Sequence, residues 1–265
     1  MRTKKILRRI RFSIFLLGGL IKKSNTGSSS NTSDLFIFRG GDWKTQFELL
    51  DLNSLISPGE PEANVRKTTI HLFDVNGKSV GQEEIESNIL ERNSLNINTY
   101  FSRYNLDVGL FAIEHKKSLD TFLDGGSIPA ERGYVGYGKI NYQILSYVHG
   151  NFDAIVFQHK QQKLLGRRSI FRRIYRVQHV LTNGAEYSFA LVNSSSRPVK
   201  AKFQLRGNGA TRTVSVQLIQ AGGLGTFSCQ GQEIDGAVAE FVSSLYMARP
   251  VVFRETIDSF DVFHG

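Results

Sequence analysis

The sequence of 265 residues contains a single cysteine, Cys229, and only five prolines. One cysteine excludes an intrachain disulfide, so packing and hydrogen bonds must hold the fold together. No recognisable pairing with a histidine surrounds Cys229, and we interpret it as a small, partly buried strand residue and not as a nucleophile. A chain without disulfides suits a reducing compartment, so we expect a cytoplasmic protein.

The sequence also lacks the motifs that mark common catalytic sites. It contains no Gly-x-Ser-x-Gly, Walker or Rossmann fingerprint. The Gly-Gly-Leu-Gly run at residues 222–225 lies between predicted strands and opens no helix, so it does not predict a phosphate site. The absence of a βαβ rhythm excludes the nucleotide-binding α/β folds. We therefore expect no cofactor, and a binding protein is favoured over an enzyme.

Acidic residues are missing from the start of the chain, and this explains the formal charge of +9. Residues 1–23 hold eight Lys or Arg and no Asp or Glu, while the remainder has 25 basic against 24 acidic residues. A nearly neutral body does not offer a broad phosphate-binding surface. Nucleic acid is therefore not expected as a partner.

The N-terminal segment, residues 1–33, also lacks a long hydrophobic run. Its apolar stretch, residues 12–21, is ten residues long, whereas a membrane-spanning helix needs about 20. Lysines follow directly and no small-residue cleavage pattern is present, which argues against a signal peptide. Apolar residues at helical spacing predict a basic amphipathic stretch that binds an anionic membrane surface, and a solvated leader is the alternative. Residues 24–33, rich in Ser, Asn and Gly, predict a linker.

What the chain has in abundance is short β-branched and alternating runs separated by Gly and Asn turns. This pattern predicts an all-β protein built from sandwiches. Helical signal is confined to residues 5–23, 83–91 and 161–173.

An internal repeat runs through the body. Residues 132–137 (Arg-Gly-Tyr-Val-Gly-Tyr) precede Ser-Tyr-Val-His-Gly at 146–150, and Arg-Pro-Val-Val-Phe-Arg at 249–254 precedes Ser-Phe-Asp-Val-Phe-His-Gly at 259–265. Upstream of each pair lies a strand-like run ending in Asn-Gly, which is a hairpin signal. Cutting after Gly150 gives units of 117 and 115 residues, 34–150 and 151–265. We predict two related β-sandwich domains in tandem.

The second unit resembles a known family at residues 187–193, 197–203, 213–218, 221–227 and 249–253. The order of these strand-like runs is similar to that of the sensory-rhodopsin-transducer-like domains, over about 80 residues. These are small prokaryotic β-sandwich domains proposed to bind small molecules or sugars. The resemblance implies a binding or signalling module, and it carries over no binding residues because no site motif matches.

The candidate site residues cluster in the repeated segments: Tyr134, Tyr137, Tyr147, His149, Arg249 and His264. Exposed tyrosines would form a platform for stacking sugars, whereas strand alternation would send about half of the local aromatics into the core. His149 and His264 occupy the same place in the two copies. They would either meet across the domain interface as metal ligands, or each pin a strand end through a backbone hydrogen bond, which we favour.

One basic cluster lies within the body at residues 163–176, where six Lys and Arg surround Phe171 and Tyr175. Such a mixture suits nucleic acid or anionic lipid, but a solvated loop or helix is favoured.

The leading hypothesis is a non-catalytic binding or scaffold protein. It recognises a carbohydrate or small ligand near the tyrosine and His-Gly elements and associates with a membrane surface through residues 1–23. The alternative is a metal-dependent enzyme using His149 and His264.

Overall fold

The computed structural model describes residues 31–49, 65–88, 93–115, 130–131, 133–158, 161–207, 209–246 and 249–265. Within them, strands are joined by turns, one short helix, α1 (Asn98–Phe101), and two 3₁₀ helices, Ser102–Tyr104 and Gln232–Ile234. The predicted all-β class is confirmed. Residues 1–23 lie outside the described ranges. No helix in the described part of the chain is long and apolar enough to cross a membrane.

The first sandwich consists of two sheets. Its larger sheet has the strand order β11-β10-β1-β6-β3-β4, with β7 paired parallel to β1, and its smaller sheet has the order β5-β2-β8-β9. The strands are β1 (Asn31–Arg39), β2 (Trp43–Leu49), β3 (Val65–Phe73), β4 (Ser79–Asn88), β5 (Asn93–Asn96), β6 (Val108–His115), β7 (Ala130–Glu131), β8 (Tyr134–Lys139), β9 (Ser146–His149), β10 (Asn151–Gln158) and β11 (Gln161–Leu164).

The second sandwich consists of two four-stranded antiparallel sheets, with orders β12-β17-β14-β15 and β16-β13-β18-β19. Its strands are β12 (Arg168–Val180), β13 (Glu186–Val192), β14 (Val199–Gly207), β15 (Ala210–Ile219), β16 (Leu224–Cys229), β17 (Val238–Leu245), β18 (Val251–Glu255) and β19 (Phe260–His264).

The two sandwiches share one topology. Taken in chain order, β1 to β6, β8 and β9 of the first sandwich correspond to β12 to β19 of the second, and both sheets then have the same strand order. The two Asn-Gly hairpins become the equivalent hairpins β3–β4 and β14–β15, with Gly77 and Gly209 both at φ +77°. The shared topology is the one that the predicted duplication would produce.

Two boundaries differ from those predicted. β1 already begins at Asn31, within the predicted linker, and the first sheet continues beyond Gly150 through β10 and β11. Strand pairing therefore places the division between Leu164 and Arg168.

The helices predicted at 83–91 and 161–173 are wrong, since the described residues of both segments lie mainly in strands. β4, β11 and β12 are edge strands, where charged side chains that favour helices also protect an exposed edge.

Each sandwich has an aromatic core where its two sheets face each other. In the first, Phe36 packs on Phe47 and Phe111, with ring centroids 4.8 and 5.2 Å away. In the second, Phe203 packs on Phe189 and Phe241 at 5.1 and 5.2 Å. Alternation along each strand directs these rings to the same interior face.

The β16-β13-β18-β19 sheet is covered on both faces. One face lines the core of the second sandwich, and the other is buried against the first sandwich. On that second face Phe253 lies 5.2 Å from Trp43 and 5.0 Å from Tyr137, measured between ring centroids. The sequence of a strand that is buried on both faces is a continuous apolar run, and residues 189–192 of β13 (Phe-Ala-Leu-Val) are such a run.

Candidate functional site: the tyrosine face

The outer face of the β5-β2-β8-β9 sheet points away from the core. In β8, Val135 and Tyr137 are buried, so the alternating Tyr134 and Gly136 lie on the opposite side. Strand register places His149 directly opposite Tyr134. We call this surface the tyrosine face: Lys44, Gln46, Glu48, Ser94, Asn96, Tyr134, Gly136, Gly138, Tyr147 and His149.

Tyr134 and Tyr147 are the large aromatic side chains of this face. They are 56 and 41% exposed. Register places Gly136 opposite Tyr147, so the two tyrosines are diagonal neighbours on adjacent strands, about 7 Å apart. A Cβ atom on Gly136 would lie 2.8 Å from Cε1 of Tyr147, so the absence of a side chain there lets the ring lie flat across the sheet.

Glu48 supplies a fixed carboxylate beside the tyrosines. Its Oε1 accepts hydrogen bonds from Gln46 Nε2 at 2.8 Å and from the Tyr147 hydroxyl at 3.1 Å, and its Oε2 accepts one from Ser94 Oγ at 2.6 Å. The Glu48 residue is only 9% exposed. These donors hold the carboxyl group in one orientation, and the bond from the phenol fixes that end of Tyr147.

Tyr137 does not belong to this site, in contrast to the prediction. It is buried, and its hydroxyl donates a hydrogen bond of 2.6 Å to the backbone oxygen of Ile37. Burial raises the pKa of the Tyr137 phenol, so the group remains a protonated donor. The alternation that exposes Tyr134 turns Tyr137, three positions on, into the core.

His149 and His264 meet where the two sandwiches join. Their ring centroids are 4.3 Å apart. His264 Nε2 donates to the backbone oxygen of His149 at 2.8 Å, and His149 Nδ1 donates to that of Gly150 at 3.0 Å. Burial, with the charges of His149 and Arg249, lowers the pKa of His264 to about 4. Both imidazoles thus pin backbone at a strand end.

Each ring of the histidine pair uses one nitrogen for a backbone carbonyl. In the described ranges no group of three or more His, Cys, Asp or Glu side chains is placed to hold a metal ion. Arg249 is half-buried just before β18, and its charge acts on His264. The structure therefore brings Arg249 and His264 together at the edge of the tyrosine face, next to His149.

The equivalent face of the second sandwich has a different composition. There, Val251 lies opposite His264 and Phe253 opposite Val262, where the first sandwich has Tyr134 opposite His149 and Gly136 opposite Tyr147. Val251, Phe253 and Val262 are buried against the first sandwich. Among the described residues, this face is therefore exposed in the first copy and buried in the second.

A cleft of about 420 Å³ lies at another part of the junction between the sandwiches. Lys139 on its wall forms ion pairs with Asp42 and Glu255, and its Nζ lies 4.4 Å from the centroid of Trp43. The rim carries Tyr142, which is 45% exposed. Lys139 is paired with both Asp42 and Glu255 at this junction, which leaves little unpaired charge among these groups for a ligand.

Glu48, Gln46 and Ser94 were missed by sequence reasoning. They are distant from the repeated segments along the chain, and only the pairing of β2 with β5 and β8 brings them beside the tyrosines. The signal available was the alternation of polar residues in β2, where Lys44, Gln46 and Glu48 share one face.

No protein-family model matches the chain, and no curated protein matches its sequence.

Proposed function

We propose that the protein is a non-catalytic carbohydrate-binding module whose ligand lies on the tyrosine face. The observation that carries the proposal is the pair of exposed rings, Tyr134 and Tyr147, on one flat sheet surface beside the fixed carboxylate of Glu48. The C–H face of a sugar ring packs on such aromatic faces, and its hydroxyl groups bond to carboxylate and amide oxygens. The resemblance of the second sandwich to transducer-like domains supports a binding role.

The same face argues for binding and against hydrolysis. Most glycoside hydrolases use two carboxyl groups about 5–9.5 Å apart. Among the described residues of the tyrosine face, Glu48 is the single carboxylate, and three donors already bond to it. A group held in this way orients a ligand but is poorly suited to transfer a proton.

The proposal is tested with a glycan array probed by the full-length protein, followed by calorimetry with the glycan that binds best. Stacking on a ring is worth about 0.5–1.5 kcal/mol, so Tyr134→Ala and Tyr147→Ala are each expected to weaken binding about two- to tenfold. Tyr134→Phe keeps the ring and is expected to bind normally.

Tyr142→Ala is the matched control, because Tyr142 is 45% exposed but lies on the rim of the cleft and not on the tyrosine face. Loss of binding in this variant alone would place the ligand in the cleft and contradict the proposal. A full-length chain that binds no arrayed glycan would favour a scaffold role.

Association of residues 1–23 with an anionic membrane surface is a separate proposal from the sequence. It is supported by the eight cations and absent acids of that segment. Replacing all eight with glutamine should abolish this contribution to vesicle binding, measured by cosedimentation. Unchanged binding to anionic vesicles would refute it.

A further inference from the structure

The second sandwich carries a protruding bulge in its edge strand β12. Arg168 pairs with Leu245 and Arg173 with Ser243, so four residues of β12 stand opposite a single residue of β17. Ser169 Oγ accepts a hydrogen bond of 3.2 Å from the backbone N–H of Phe171, which stabilises the bulge. At its tip Ile170 is 94% and Phe171 63% exposed. Two large apolar side chains are thus held in solvent side by side.

Four exposed arginines surround this apolar tip: Arg167, Arg168, Arg172 and Arg173. Arg173 stacks over the ring of Tyr246 at 4.5 Å, and Arg168 Nε donates to Ser244 Oγ at 3.3 Å. The sequence contains no Asp or Glu between Gln162 and Gly184. The positive charge around the bulge is therefore not neutralised by neighbours along the chain.

The β12-β17-β14-β15 sheet, to which the bulge belongs, also combines positive charge with exposed apolar residues. Its four strands hold eight Lys and Arg and one acid, Glu240, whose Oε1 pairs with Arg176 at 2.7 Å and Arg206 at 3.4 Å. On the outer face, Ile174 is 58% exposed, and Leu218 of the opposite edge strand is 64% exposed. Exposed apolar residues thus lie among cations across the whole width of this sheet.

We propose that the β12 bulge docks on anionic phospholipid membranes, with Ile170 and Phe171 entering the interface and the arginines binding lipid headgroups. Apolar side chains that protrude between cations match the boundary between acyl chains and charged headgroups. A nucleic acid would use the arginines equally, but Ile170, the most exposed member, has no aromatic face on which a base can stack. The docking element is independent of the tyrosine face, and it is a second membrane contact beyond residues 1–23.

The test uses the full-length chain in which the eight cations of residues 1–23 are replaced by glutamine. Its binding is measured by cosedimentation with vesicles of phosphatidylcholine that contain 30% phosphatidylserine. This chain is expected to bind these vesicles and not pure phosphatidylcholine. Each arginine near such a surface contributes about fivefold, so Arg167→Gln with Arg172→Gln should reduce partitioning about 30-fold. Ile170→Ser with Phe171→Ser should reduce it at least tenfold. Phe171→Trp adds a fluorophore whose emission should shift to the blue on binding.

The matched controls are Ile257→Ser, since Ile257 is also 94% exposed, and Arg197→Gln, an exposed arginine of the same sandwich. Both should bind normally, and circular dichroism verifies that every variant is folded. No binding by the chain with a neutralised N-terminus, or full binding by the Ile170 and Phe171 double variant, would overturn the proposal. So would tighter retention of a single-stranded DNA oligonucleotide with no dependence on Ile170.

Discussion

Replacing His264 with glutamine removes an imidazole that the fold holds in its neutral form. Burial, the charge of His149 and the charge of Arg249 lower the pKa of His264 from 6.5 to about 4. Between these values the unfolded state binds a proton that the folded state does not. The contribution of His264 to the unfolding free energy of the wild-type protein should therefore be fully present above pH 6.5. It should fall as the pH decreases and become constant below pH 4.

The size of this effect follows from the difference in pKa. Each unit corresponds to 1.36 kcal/mol, and partial exposure of the ring reduces the full value. We expect about 2–3 kcal/mol of unfolding free energy to depend on His264. Glutamine keeps a side-chain N–H able to reach the carbonyl of His149, to which His264 Nε2 donates at 2.8 Å. Carboxyl groups titrate in the same range, so the informative quantity is the difference between wild type and His264→Gln.

Urea denaturation at a series of pH values measures this difference, and NMR titration of the imidazole carbon-bound protons gives the pKa directly. The unfolding free energies of the two proteins should diverge by about 2–3 kcal/mol between pH 7 and pH 4, wild type losing more. Parallel pH profiles, or a measured pKa near 6.5, would refute the argument that burial at the junction keeps His264 neutral.

Three further predictions concern the core, the thiol and the tyrosine face. Trp43→Ala should lower the unfolding free energy by about 3–5 kcal/mol in urea titrations, because Trp43 is 1% exposed and packs on Phe253. A loss below about 1 kcal/mol would contradict its role at the junction. Burial raises the pKa of Cys229 to about 12, so iodoacetamide at pH 8 should alkylate it about a thousandfold more slowly in folded than in urea-unfolded protein. Comparable rates would disprove its protection. Gly136→Ala should displace the Tyr147 ring and weaken glycan binding, with Gly207→Ala, where the added Cβ would meet its nearest atoms at an ordinary contact distance of 3.5 Å, as the control. Normal binding by Gly136→Ala would show that the flat ring is not required.

The fold was predictable where local chemistry and tertiary structure agree. Asn-Gly turns between alternating runs located the β3–β4 and β14–β15 hairpins, because a left-handed glycine is needed at that turn. The equivalence of the two repeated segments was read from order and spacing alone. The edge strand β4 was misread as helical, since Glu83, Glu84 and Glu86 have side chains that suit a helix and an exposed sheet edge equally.

The candidate site was predictable only in part, for a different physical reason. Tyr134, Tyr147 and His149 were found because they lie within one hairpin, where two-residue periodicity decides which side chains share a face. Tyr137 was misplaced because neither its neighbours nor its polarity show which of the two faces is buried. Glu48 joins the tyrosines through the non-local pairing of β2 with β8, which no local pattern encodes.

The double-sided burial of the β16-β13-β18-β19 sheet has a consequence for how the protein unfolds. A fragment consisting of the second sandwich alone would present Val251, Phe253 and Val262 to water, and the first sandwich alone would uncover Trp43. Neither half is a self-sufficient thermodynamic unit, so calorimetry should record one cooperative transition for both sandwiches. Two units of one topology are thus mutually dependent, because the face that is exposed in the first is buried at the junction in the second.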